Sequence, residues 1–241
     1  ESKYNNYSNE IQWNIQNKPS VNIPEAPQVN QVLDQLSYTI SAFIHVTFPL
    51  QYSSKLDTLD KPYSKSVFIG NNTLTVEFHG DSVPSGIYPR RLFSYLCKSI
   101  IKSRSKNSKV NIPRNRFQFF KEALGINYIP SKKDVENITE QLKNFVNCRI
   151  SLHYSNPNEK SRKPHQLISF INGDHSWLYD DTLVWQQEII LSQEMYELIK
   201  HTAVPISSFA VNEFSNSRKL DILNYFLYQN YNLNIKKFNY T

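Results

Sequence analysis

From Ser82 to Lys121 the chain contains no aspartate or glutamate, although Arg90, Arg91, Lys98, Lys102, Arg104, Lys106, Lys109, Arg114, Arg116 and Lys121 all fall within that span. Like charges held within a Debye length repel one another, and phosphates relieve that repulsion directly, so a nucleic acid is the partner this gap in acidity points to. The plainer alternative is a solvated helix face balanced by acids elsewhere in the fold. Cysteine is equally scarce: Cys97 and Cys148 are the only two, each among apolar neighbours. That excludes a disulfide framework and suits a reducing compartment. No run of about eighteen apolar residues occurs, nor a charged-then-apolar leader, so neither a membrane span nor a secretory signal is expected and the chain reads as cytoplasmic.

Catalytic signatures are missing as well. The five glycines, Gly70, Gly80, Gly86, Gly125 and Gly173, never assemble a phosphate-cradling Gly-x-x-x-x-Gly-Lys loop. The histidines never form a His-x-His pair, which removes the metal site of a rolling-circle nicking enzyme. Asp174, Asp180, Asp181 and Glu188 are the one acidic cluster suited to a divalent ion, but no lysine follows at nuclease spacing, and turn chemistry is the simpler role. The expectation is a protein that is not an enzyme, with no metal and no cofactor.

What is present, in 241 residues with a net charge of +6, is enough apolar sequence for a substantial core. Residues 1–31 are rich in Asn, Ser, Gln and Pro and read as a flexible polar arm. Leu33, Leu36, Ile40 and Phe43 follow at helical spacing, and Phe43 to Phe48 is a β-prone run. Val67 to Ile69 and Leu74 to Phe78 alternate as a hairpin around Gly70. Pro89 opens a helix with an apolar stripe of Leu92, Phe93, Leu96, Cys97, Ile100 and Ile101, its other faces carrying the basic residues. A strand at Val110 to Ile112 precedes a helix from Phe117 that Gly125 stops. Ser131 and Asp134 form a capping-box variant ahead of Val135, Ile138, Leu142, Phe145 and Val146, a third amphipathic helix. Arg149 to Tyr154 and Leu167 to Ile171 then read as strands joined by a basic loop. A strand near 182–191, a helix from Ser192 to about His201, and an apolar stretch around Leu220 to Leu227 complete the chain.

Helix, strand, helix, helix, strand, basic loop, strand is the order of a winged helix-turn-helix in an α+β fold. It is expected over 32–202 with an amino-terminal β extension, 203–241 supplying the opening helices of a second winged-helix domain, truncated at Thr241. An α-helix fits the major groove and a wing fits alongside it. Within the third helix, Lys132, Lys133 and Asn137 lie near the groove-entering end, with Glu136, Glu140, Lys143 and Asn144 further along; Asn137 suits an adenine edge. Lys160, Arg162, Lys163 and His165 at the wing suit phosphate, as do Lys106, Lys109, Arg114 and Arg116 from the acid-free stretch. Each of these is also, taken singly, an ordinary solvated side chain.

Asn72 to Val76, followed by Pro84, Gly86, Pro89 and Arg90 in the pattern Pro-x-Gly-x-x-Pro-Arg, resembles the start of the plasmid RepA replication initiator family. The helix from Phe117 to Gly125, Gln141 before Arg149 and Ile150, Ile190 to Tyr196, Val204 to Ile206, and Asp221 with Tyr225 continue the likeness over about residues 70–230. Tyr228 and Gln229 stand where a Tyr-Arg pair is common, and Tyr128 to Ser131 replaces a Gly-rich entry to the third helix. The resemblance implies two winged-helix domains that bind double-stranded DNA at origin repeats and recruit host replication proteins, in a bacterial cytoplasm and in association with plasmid or nucleoid. Two alternatives use the same scaffold: a winged-helix transcriptional repressor, and a protein-interaction module that forms a homodimer through Ile189, Ile190 and Leu191.

Overall fold

The computed structural model describes residues 36–51, 62–103, 107–113, 115–155, 166–172 and 188–238. The expected amino-terminal arm, 1–31, lies outside them, as do Asp174, Asp180 and Asp181. All described residues belong to one compact unit, Asp34–Thr241.

The chain enters that unit as strand β1 (Leu36–Ile40), followed by a short helix α1 (Ser41–His45). This reverses the expectation of a helix followed by a strand. The reason is tertiary: β1 pairs antiparallel with β8 (Ala203–Ser207), whose hydrogen-bonding edge comes from a distant part of the chain and outweighs local spacing. Phe43 and Ile44 of α1 then turn inward.

Strands β2 (Tyr63–Ile69) and β3 (Asn72–His79) form the expected hairpin, Ile69 opposite Asn72, so that only Gly70 and Asn71 turn the chain. Gly70 takes φ 61°, the left-handed region a side chain would resist. Helix α2 (Ile87–Ser103), strand β4 (Lys109–Asn111), helix α3 (Arg116–Leu124), helix α4 (Lys132–Asn147) and strands β5 (Arg149–Ser155) and β6 (Ile168–Ser169) follow in the winged helix-turn-helix order. The sheet runs β2-β3-β5-β6. Strand β4 does not join it directly: it pairs with β7 (Glu188–Ile190), and Leu191 bridges Ile171 just beyond β6. Helices α5 (Gln193–Thr202), α6 (Ser208–Glu213) and α7 (Ser217–Phe238) complete the unit. Ile189 and Leu191 are buried in its core, so of the trio expected to form a dimer surface only Ile190 faces outward.

Phe43, Phe48, Phe78, Phe93, Phe145 and Phe170 converge at the centre, with ring centroids of Phe145 and Phe170 4.4 Å apart and those of Phe43 and Phe93 5.0 Å apart. Tilted and edge-on rings of this kind add to the burial of their area. Because these rings come from five separated parts of the chain, the cluster locks α1, β3, α2, α4 and the end of β6 together.

The basic residues do not all lie on the outer faces of α2. Arg90 and Arg91, at its first turn, are buried. Arg90 makes a bidentate pair with Asp221 of α7, Nε to Oδ1 and Nη2 to Oδ2 both at 2.8 Å, and donates further to the carbonyls of Phe48, Pro49 and Gly86. Arg91 donates to Leu124 O at the end of α3 and to Val211, Asn212 and Phe214 O at the end of α6. Burial lowers its pKa, while Tyr88, Glu213 and Tyr128 act the other way. Two cations of the acid-free stretch are thus structural.

Both cysteines are free and buried. Burial pushes the Cys148 thiol up to about 12 and the Cys97 thiol well above its ordinary range, so both are neutral, unreactive thiols. Alkylation at pH 8 should proceed only as fast as the chain unfolds; rapid labelling of the folded protein, followed by mass spectrometry, would contradict this burial. Arg90→Ala strands the Asp221 carboxylate and should lower stability by about 3–5 kcal/mol. Urea denaturation followed by circular dichroism reads that loss directly.

Candidate nucleic-acid interface

The site is built on the α3–α4 pair. Asn115 caps α3, its side chain accepting from the amides of Phe117 and Gln118. Gly125 ends it at φ 63°, with the Gly125 and Ile126 amides returning to Lys121 O and Phe120 O. A Cβ at Gly125 would stand 3.1 Å from Arg91 Nη1, so the glycine also admits the guanidinium that holds this helix end.

Helix α4 begins with a complete capping box: Ser131 Oγ accepts from the Asp134 amide at 3.2 Å, and Asp134 Oδ2 accepts from the Ser131 amide at 3.1 Å. Ile138, Leu142, Phe145 and Val146 are buried against the core. Gln141 is buried too, its Oε1 accepting from the Ser85 amide at 2.9 Å. It therefore fastens α4 to the turn that launches α2.

The opposite face of α4 is open. Lys132, Lys133, Glu136, Asn137 and Glu140 are exposed, while Lys143 and Asn144 are half-buried. Lys132 and Lys133 make no ion pair among the described residues. Lys133 and Asn137 share one row at i, i+4, and the positive end of the helix dipole adds to the two lysines. The first turn is thus cationic and the later turns acidic through Glu136 and Glu140.

The remaining candidates are distributed differently. Arg116 is half-buried, donates to Thr139 Oγ1 at 2.7 Å and sits 5.5 Å from the Phe120 ring centroid, tying the start of α3 to the middle of α4. Lys109 is exposed on β4 and pairs with Glu188 at 3.0 Å. Together with Tyr95, Lys98, Lys102 and Asn107 these two line a groove of about 730 Å³ between α2 and β4. Lys106, Arg114, Lys160, Arg162, Lys163 and His165 lie outside the described residues. Strands β5 and β6 on either side of that wing loop do pair, Ile150 opposite Ile168.

Sequence reasoning misses several participants. Gln141 looks like a polar residue on a helix, Tyr88 like filler beside Pro89, and the turn residues Tyr128 and Ile129 like linker. Burial, with Tyr128 and Asp134 nearby, raises the Tyr88 pKa while Arg91 opposes them. The signal available in sequence is Ile129, a bare aliphatic residue just before a helix cap, where polar residues are usual.

A family model described as "Plasmid encoded RepA protein" matches residues 83–241. Among solved structures the chain is similar to domains 2 and 3 of RctB. The selenomethionine form is 10% identical with a TM-score of 0.42, over 68% of this chain and 62% of that one. The RctB 155–483 structure is 9% identical with a TM-score of 0.40, over 66% and 58%. The chain thus spans less than two thirds of either. No curated protein matches it. Among the described residues, no helix is long and apolar enough to cross a membrane.

The cap that sets the start of α4 is testable on its own. Ser131→Ala should cost about 1 kcal/mol of stability, and hydrogen exchange should quicken first at the amide of Asp134. Unchanged protection at that amide would mean the capping box does not hold the helix start.

Proposed function

The chain belongs to the plasmid-encoded RepA protein family of replication initiators, and from that premise we propose that it binds double-stranded DNA at the repeats of a plasmid origin and recruits host replication proteins there. The observation that carries this reading is the open amino-terminal half of α4, where Lys132 and Lys133 in the first turn and Asn137 in the second are exposed on a helix whose other face is buried. A helix so seated can enter the major groove by its amino-terminal end, with the two lysines on phosphates and the Asn137 amide on an adenine edge. Lys143, Lys109 and Arg116, with Lys106, Arg114, Lys160, Arg162 and Lys163, serve as backbone contacts that position the protein without reading sequence. Arg116 does so while also bracing α3 against α4.

The protein works by binding alone, in a bacterial cytoplasm, without catalysis or cofactor. In this reading 203–241 belong to a second winged-helix module, whose elements β8, α6 and α7 lean on the first through β1 and the Arg90–Asp221 pair.

If about six phosphates are neutralised, log affinity in a mobility-shift titration should fall with log salt at a slope of roughly −5. On a duplex selected by the full chain from a random pool, Lys132→Ala and Lys133→Ala should weaken all sequences. Asn137→Ala should cost about 1–3 kcal/mol on the selected sequence and little on others. A flat salt response, or wild-type affinity in all three variants, would place the interface elsewhere.

A further inference from the structure

Ile129 is the most exposed large apolar side chain described, 87% accessible. Isolated apolar residues on a surface usually mean little, but this one is held in place from both sides. Ile126 and Pro130, both buried, flank it and anchor the turn. Two residues later Ser131 begins the capping box, and Lys132 and Lys133 follow in the first turn of α4. A fixed aliphatic tip therefore stands immediately before a cationic helix start.

An apolar point followed closely by two lysines matches one feature of a polyanion: the 5-methyl group of thymine, the apolar element that base edges present in the major groove. We propose that Ile129 is a specificity-determining residue that packs on a thymine methyl next to the bases read by α4. The inference rests on the duplex-binding reading above and adds to it one base identity, read by van der Waals contact.

The test uses the full chain and its selected duplex, made once with thymine and once with deoxyuridine at each thymine in turn; the two differ by that methyl alone. Wild-type affinity should fall about fourfold at one position, the worth of a single buried methyl-sized group. Ile129→Ala should bind the thymine duplex about fourfold more weakly and no longer distinguish the two duplexes at that position, and Ile129→Val should retain part of the discrimination. No loss at any position in the wild type, or the same loss in wild type and Ile129→Ala, overturns the thymine contact while leaving duplex binding intact. Absence of duplex binding at any salt overturns both, and would turn the exposed tip toward a protein partner.

Discussion

Two adjacent buried guanidiniums set the frame on which everything else is hung. A buried charge costs several kcal/mol unless its donors are met, so Arg90 and Arg91 are tolerable only when all their acceptors are in place at once. The acceptors of Arg90 come from the segment after α1, from the turn before α2 and from α7. Those of Arg91 are the carbonyls at the carboxyl-terminal ends of α3 and α6, where helices leave acceptors unpaired and the dipole is negative. One pair of side chains thereby fixes α7 and α6 against α2 and holds the end of α3. The turn into α4 starts from there, so the geometry of the exposed helix end depends on charges that are themselves buried.

This changes how the acid-free stretch is understood. Its density of positive charge suggests a uniform cationic surface, yet Arg90 and Arg91 are structural, Arg116 braces two helices and Lys109 is paired with Glu188. The Lys109 pair is half-exposed and contributes little to stability, but it still reduces the local field. The cations that remain open at α4 lie outside the stretch, at Lys132 and Lys133. Charge counted along a chain therefore overstates what a partner meets, because folding commits some of it to internal acceptors.

Elements with local causes were legible in the sequence. Gly70 and Asn71 turning a hairpin, Gly125 ending α3, and Ser131 with Asp134 starting α4 are each decided within a few residues. The stretch 36–45 was not, because the partner of β1 lies at Ala203–Ser207. The burial of Arg90 was hidden for the same reason, since Asp221 is far away in sequence. At the candidate site the exposed lysines could be found from helical periodicity alone. Gln141 could not, because its value is a hydrogen bond to the Ser85 amide across the fold.

The sign pattern along α4 constrains how the proposed complex can form. Asp134 carries a negative charge in the first turn, but its carboxylate is drawn back onto Ser131, where it favours the helix start. Glu136 and Glu140 on the outward face would face phosphates if the helix lay broadside against a duplex, and that repulsion is unfavourable. An approach led by the amino-terminal end keeps Lys132 and Lys133 near the backbone and Asn137 within reach of base edges, while Glu140 lags a turn behind. Since the turn before it is anchored by buried Pro130 and Ile126 and the helix start is fixed by the Ser131–Asp134 capping box, little ordering remains to be done on contact, which favours affinity without requiring a larger surface.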